Sequence, residues 1–145
     1  MASILERVRG MIRGDVPPPP VATLVGFRII EAEPGRAVFA LEAGPQHANP
    51  MGTLHGGILC DLADAAMGIA YASTLADGES FTTLELKINF FKPIWKARLT
   101  ATARVVKRGR TVGMAECDVV DESGSLVARA SSTCMTLAGK MAEGR

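Results

Sequence analysis

The stretch HANPMGTLHGGILCDLADAAMGIAYASTL, residues 47–75, ends in some twenty residues without proline that are dominated by Ala, Leu, Ile and Met. Six apolar positions follow helical spacing: Ile58, Leu59, Leu62, Ala66, Ile69 and Ala70. Apolar and small residues nevertheless cover almost the whole circumference, and a helix of this kind is buried on most sides. The stretch therefore predicts one long helix, from Gly56 to about Leu75, enclosed by the rest of the domain.

The segments on both sides of this helix are typical of β-strands. Residues 26–43 give two short strands around the Pro-Gly turn of EPGR. After the helix, FTTLELKINFFKP alternates apolar and polar residues with period two. Residues 97–138 give three more strands with the turns KRGR and DESGS, whose glycines suit the positive φ of a hairpin loop. We therefore predict an α+β fold: a strand pair, the buried helix and a meander of four strands, with the antiparallel sheet curled around the helix.

The first residues predict a short amphipathic N-terminal helix, because apolar residues recur at helical spacing in MASILERVRGMIRG. The following GDVPPPPVA, residues 14–22, predicts an extended connector, since proline fixes φ and lacks an amide proton. We therefore expect a helix and connector over residues 1–22, a single domain over 23–138 and a tail over 139–145.

The composition narrows the classes of function. The 145 residues include 16 Lys and Arg against 15 Asp and Glu, and this balance gives no general affinity for nucleic acid or for a membrane. No apolar run approaches the ~20 residues that span a bilayer. The three cysteines are widely spaced and odd in number, which is typical of reduced cysteines in a cytoplasmic protein.

The start and the acids of the predicted helix are candidates for chemistry. The first amides of a helix have no internal partner and carry partial positive charge, so Gly56 and Gly57 suit the approach of an oxyanion or a phosphate. Close packing against a strand explains the two glycines equally well. Asp61 and Asp64 each need solvent or a partner in so apolar a helix, and their spacing does not choose between them.

Other kinds of site have little support. Only two histidines occur, at positions 47 and 55, and their spacing is not that of a metal site. No G-x-S-x-G motif accompanies them, and Cys60 lies among apolar residues as a core cysteine would.

The spacing of Gly56 and Asp64 predicts a dimer. Eight residues of helix separate them by about 12 Å at ~1.5 Å per residue, so one aspartate cannot reach a carbonyl bound at the Gly56 amide of its own chain. If both residues serve one reaction, the aspartate comes from a second copy. A two-fold homodimer with antiparallel helices would create two equivalent sites.

Three motifs together resemble the PaaI-type acyl-CoA thioesterases of the hotdog superfamily. These enzymes are similar to 4-hydroxybenzoyl-CoA thioesterase. They are HANPMGTLHGGILCDLADAAMGIA, TTLELKINFFKP and GRTVGMAECDVVDESGSLVARASSTC, and the resemblance extends over about residues 18–137. It implies the hotdog fold, a long helix wrapped by an antiparallel sheet. It also implies a homodimer or a dimer of dimers, active sites at the subunit interface, and no cofactor or metal, since CoA is part of the substrate.

The resemblance implies a role for four residues of the quoted stretch. Gly56 would offer its N–H to the thioester oxygen, and Asp64 of the partner subunit would act as nucleophile or general base. Asn49 matches the asparagine that helps to hold the water or the thioester. His55 matches the adjacent histidine that shapes the site. Asp61 does not fall on a motif position.

Further residues are expected around these. Thr83 falls where related enzymes carry a Ser or Thr that positions water, and Thr82 remains an alternative because the spacing varies. The other expected substrate contacts are Gly57, Met67, Lys92, Arg108 and Arg110, the basic ones facing CoA phosphates. An acyl-thioester hydratase or dehydratase of the same fold and a non-catalytic acyl-CoA-binding module are the alternatives.

Overall fold

The computed structural model describes residues 2–145, which form three α-helices and six β-strands. The helices are α1 (Ile4–Arg13), α2 (Pro20–Val25) and α3 (Gly56–Ala72). The strands are β1 (Phe27–Glu33), β2 (Arg36–Ala43), β3 (Ser80–Phe90), β4 (Ala97–Arg108), β5 (Val112–Val120) and β6 (Leu126–Leu137). Short 3₁₀ turns occupy Pro45–His47 and Gly139–Ala142.

The six strands form one antiparallel sheet in the order β1-β2-β4-β5-β6-β3. The sheet curls around α3 without closing, so that β1 and β3 are its two edges. The helix is buried on most of its circumference, with Leu62, Ala63 and Met67 fully enclosed. The predicted α+β architecture of a long helix wrapped by a curled antiparallel sheet is confirmed.

The predicted meander of four strands is wrong in one respect. Strand β3 pairs with β6, with Thr83 opposite Cys134, whereas β4 lies between β2 and β5. The period-two pattern of β3 fits either arrangement, because alternation reports which face of a strand is buried and not which strand lies beside it. A β-bulge at Leu84 also breaks the alternation and leaves that side chain exposed.

Helix α3 ends at Ala72, three residues before the predicted end. The Ser73 hydroxyl donates to the Ala70 carbonyl and the Thr74 hydroxyl donates to the Tyr71 carbonyl, each at 2.7 Å. These side chains satisfy carbonyls that a further helical turn would have paired, and the helix stops there.

The predicted connector over residues 14–22 is extended only at first. Pro20 begins α2, where proline is tolerated because the first helical position needs no amide donor. The expected boundary between residues 22 and 23 therefore falls inside a helix. Of the two turn glycines, Gly124 has the expected positive φ of 81°. Gly109 does not, and a Cβ there would instead collide with the Val112 carbonyl oxygen.

The three cysteines are free thiols, two buried on strands and Cys60 partly buried on α3. Desolvation by burial raises the pKa of the Cys117 thiol to about 12, so this cysteine stays protonated at neutral pH. Within residues 2–145, the helices are too short or too polar to cross a bilayer.

Candidate active site

The first turn of α3 leaves one backbone donor free. His55 caps the helix, and its Nδ1 accepts the Gly57 N–H at 2.9 Å, which places the proton of a neutral ring on Nε2. The Gly57 amide, one of the expected substrate contacts, is thereby occupied. Among residues 2–145 the Gly56 N–H has no hydrogen-bond acceptor, and it lies at the positive end of the helix dipole.

Gly56 lies close to the exposed side chain of Phe90. A Cβ there would lie 2.9 Å from Cζ of Phe90, at the end of β3. Beside Gly56 is an open groove of about 470 Å³, whose other lining residues are Thr53, Leu54, Leu59, Phe90, Phe91, Lys92, Pro93 and Ile94. The sequence left close packing and ligand approach as alternatives for the glycines, and Gly56 lies both against Phe90 and beside this groove.

Asn49 organises the loop that leads into α3. Its Oδ1 accepts the N–H groups of Met51 at 2.9 Å and Thr53 at 3.2 Å. Its Nδ2 donates to the Thr53 hydroxyl at 2.8 Å. The structure therefore places Asn49 near the start of the helix and not beside Asp64 of the same chain.

Asp64 lies two turns further along α3, where the Thr83 hydroxyl donates to its Oδ1 over a long 3.4 Å. Desolvation by burial raises the pKa of the Asp64 carboxyl, the Thr83 hydrogen bond partly opposes this, and the nearby Asp61 adds to it. Asp64 is nevertheless exposed by surface area, so its desolvation is only partial. A carboxylate with a raised pKa, held by one hydroxyl, is equipped to accept a proton or to attack a carbonyl.

The paired alternatives of the sequence lie in different places. Thr83 contacts Asp64, whereas Thr82 points to the other face of β3 and is absent from the cavity that Asp64 lines. Asp61 faces a separate shallow depression with His55.

Asp64 and Thr83 lie at an apolar cavity of about 400 Å³, which we call the seam cavity because it fills the gap between edge strands β1 and β3. The N-terminal segment covers it with Val8, Met11, Pro18, Pro19, Val21 and Ala22. The remaining lining residues are Phe27, Arg28, Ile29, Phe39, Ala65, Gly68, Ile69 and Phe81. Sequence reasoning missed the contribution of the N-terminal segment, although the amphipathic pattern of α1 indicated that one face packs on the domain.

Several expected substrate contacts lie elsewhere in this chain. Met67 is fully buried in the core, because the helix turns Gly68 and Ile69, and not Met67, toward the seam cavity. Lys92 forms an ion pair with the buried Asp121. Arg108 donates to the Thr74 hydroxyl at 3.1 Å and lies over the Tyr71 ring at the far end of α3 from Gly56.

Arg110 is exposed in the turn between β4 and β5, near that same far end of α3. The structure of one chain therefore does not bring the three expected basic residues together. Lys92 alone lies beside the Gly56 groove.

One long helix wrapped by a curled antiparallel sheet defines the hotdog class of protein. A sequence profile of the thioesterase superfamily matches residues 51–128. The chain belongs to the thioesterase superfamily, and the expectation of a thioester hydrolase is confirmed at this level.

Relatives with known sequences or structures agree with this assignment. A 1,4-dihydroxy-2-naphthoyl-CoA hydrolase of Listeria monocytogenes is 31% identical over 71% of this chain and 84% of that protein. A thioesterase family protein from Silicibacter pomeroyi superposes with a TM-score of 0.80 at 30% identity, covering 91% of this chain and 99% of that one. The PaaI protein of the E. coli phenylacetic acid degradation operon has a TM-score of 0.81 at 26% identity, covering 94% and 98%.

Proposed function

We propose that this chain is an acyl-CoA thioesterase, which hydrolyses an acyl- or aryl-acyl-CoA to the free acid and CoA in sites shared between two subunits. The observation that carries the proposal is the free Gly56 amide on the same helix as the Thr83-bound Asp64. The two groups are about 12 Å apart along one helix. A second copy with an antiparallel α3 would supply the missing half of each site.

The reaction needs both halves. The thioester oxygen accepts the free N–H of Gly56 from one subunit, which stabilises the negative charge that forms on this oxygen. Asp64 of the other subunit either takes a proton from the attacking water or attacks the carbonyl itself, forming an anhydride that water then hydrolyses. In both routes the C–S bond breaks, one water is consumed to give the free acid and restore Asp64, and the CoA thiolate gains a proton.

The remaining polar residues have supporting roles in this proposal. Thr83 orients the Asp64 carboxylate, Asn49 shapes the loop before the helix, and His55 fixes the first turn. The groove beside Gly56 receives the pantetheine arm. Lys92, Arg108 and Arg110 remain candidates for the CoA phosphates in the assembled protein.

The assembly and setting are part of the same proposal. We expect a homodimer that pairs into a dimer of dimers in the cytoplasm, and hydrolysis without a resident cofactor or metal. Support for a dimer comes from the separation of Gly56 and Asp64, while the expectation of a tetramer rests on the resemblance to PaaI-type enzymes.

The test is release of free thiol from acyl-CoA substrates by four proteins: wild type, Asp64→Asn, Gly56→Pro and Gly56→Ala. Proline at the first helical position deletes the N–H and keeps the helix start, and His55 already has the extended backbone that a following proline requires. Alanine adds the same Cβ against Phe90 but keeps the donor.

We expect Asp64→Asn and Gly56→Pro to lower kcat by roughly 10²-fold or more, and Gly56→Ala to be affected much less. Equal activity of the proline and alanine variants would remove the oxyanion role of Gly56. Hydration of an enoyl-CoA without thiol release would instead identify a hydratase, and tight acyl-CoA binding without turnover would identify a binding module.

A further inference from the structure

The seam cavity has a shape and a lining that restrict what it can hold. One face of α3, residues 64, 65, 68 and 69, forms its floor, and the edge strands contribute Phe27, Ile29 and Phe81 as walls. The α1 side chains of Val8 and Met11 lie across it, so that the N-terminal segment is its roof. Asp64 and Thr83 are hydrogen-bonded neighbours in this lining, so the cavity is polar at that end.

Away from that end the lining offers almost no polar partner. Arg28 is the one further charged lining residue, and it is exposed on the edge strand β1. Away from Arg28, a hydroxyl or a charge carried into the cavity would lose its water without gaining a side-chain hydrogen bond. The lining therefore favours an uncharged hydrocarbon group.

The volume indicates the size of that group. About 400 Å³ equals the liquid volume of roughly thirteen water molecules, and a methylene group occupies a similar volume. An acetyl group would leave most of this space empty. A chain of up to about thirteen carbons, or an arylalkyl group of similar bulk, would fit within it.

Gly68 is the feature of the floor that packing does not explain. It lies in the interior of α3, where glycine is the least favourable residue after proline. A Cβ at this position would approach Cζ of Phe81 only to 3.4 Å, the edge of ordinary van der Waals contact. Alanine would therefore fit and favour the helix, but its methyl group would project into the seam cavity.

We propose that the seam cavity holds the acyl group of the substrate, that this group is apolar, uncharged and of medium length, and that Gly68 and Met11 set its depth. The inference rests on the proposed thioesterase function and adds the substrate class and two specificity-determining residues. Met11 limits the cavity from the roof and Gly68 keeps the floor open.

The test compares kcat/KM for thiol release across a series of straight-chain acyl-CoAs from two to sixteen carbons, with glutaryl-CoA and 4-hydroxybenzoyl-CoA added. The variants are Gly68→Ala and Met11→Trp. Ile12→Trp is the matched control, because Ile12 is the next residue of α1, is 38% exposed and does not line the cavity.

Wild type is expected to favour medium-length chains over acetyl, glutaryl and hydroxybenzoyl groups by roughly tenfold or more. Gly68→Ala and Met11→Trp both shift the optimum to shorter chains, and Ile12→Trp keeps the wild-type profile. Thermal unfolding of Gly68→Ala at or above the wild-type midpoint supports a role in cavity depth.

The assay distinguishes failure of the proposed function from failure of the proposed substrate class. If wild type releases no thiol from any acyl-CoA, the proposed function is wrong. If it hydrolyses acyl-CoAs but prefers acetyl, glutaryl or hydroxybenzoyl groups, the substrate class is wrong while the function stands. If Gly68→Ala is too unstable to assay, Met11→Trp decides alone, and an unchanged chain-length profile in that variant overturns the inference.

Discussion

Asp64 is a carboxylate placed on a largely apolar helix, and this placement has a consequence for stability. Burial raises its pKa in the folded protein, so the ionised form is disfavoured relative to the unfolded chain. The folded state is therefore penalised above the folded pKa, and the penalty disappears as the pH falls below the unfolded value.

We predict that Asp64→Asn raises the thermal midpoint at neutral pH while it removes activity, since the amide has the same shape and no charge. The gain should shrink as the pH falls through the folded pKa of Asp64. Thermal unfolding between pH 3 and pH 8 measures it, with Asp61→Asn as the control for loss of one negative charge on the same helix. A variant that is less stable than wild type at neutral pH would contradict a folded-state pKa raised by partial burial.

We predict that Thr83 influences the acid side of the pH profile through its hydrogen bond to Asp64. That bond lowers the Asp64 pKa against the effect of burial, so Thr83→Val should raise the pKa further. Because both catalytic routes need the ionised carboxylate, the acid limb of kcat/KM should move to higher pH, and Thr83→Ser should restore it. Thr82→Val is the control and should leave the acid limb of kcat/KM at its wild-type pH. A shift in that variant would mean that Thr82, and not Thr83, contacts the carboxylate.

Some features of single site residues could be predicted from the sequence and others could not. The pattern from Gly56 to Asp64 has a fixed helical spacing, so the separation of donor and carboxylate could be predicted. Thr82 and Thr83 could not be separated, because the turn between α3 and β3 has no regular period. The bulge at Leu84 changes which side chains share a face after that turn.

At the scale of elements, His47 connects α2 to the loop before α3. It is 6% exposed, its Nε2 donates to the Val25 carbonyl at 2.6 Å, and its Nδ1 accepts the Gly44 N–H at 3.3 Å. Both ring nitrogens are thus used in a neutral ring. The Val25 carbonyl ends α2, whose residues roof the seam cavity, so His47 holds the roof to the body of the domain.

We predict that His47→Leu destabilises the protein by about 1–3 kcal/mol, since it leaves the Val25 carbonyl and the Gly44 amide without partners. Urea unfolding measures the loss. His55→Asn is the comparison, because asparagine remains a good helix cap and this histidine is exposed. If both variants lost the same free energy of unfolding, the two His47 hydrogen bonds would contribute no more to stability than the exposed cap at His55.

The elements themselves were predictable to different degrees. The uniform apolar surface of α3 marks a helix enclosed by a sheet, and six segments of strand character supply that sheet. The order of the strands does not follow, because pairing depends on contacts far apart in sequence. Helix α2 was missed since a run of four prolines masks the one position, Pro20, that starts a helix.

At the scale of the whole molecule, the proposed division of the site between subunits rests on the separation of Gly56 and Asp64 along α3. In a dimer with shared sites, each site joins Asp64 of one subunit to Gly56 of the other. A single chain would then hold two incomplete halves about 12 Å apart along its helix. Sedimentation should accordingly show at least a dimer at concentrations where the enzyme is active, and a fully active monomer would exclude shared sites.

A hybrid of two inactive subunits tests the division directly. We predict that co-expression of Asp64→Asn and Gly56→Pro chains with different tags, purified through both tags, restores activity up to about half of the wild-type value. One site of such a hybrid combines both defects, while the other combines the intact Asp64 of one chain with the intact Gly56 of its partner. Each doubly tagged homodimer, prepared in the same way, is the control. If donor and carboxylate worked within one chain, every site would carry one defect and the hybrid would be as inactive as its parents.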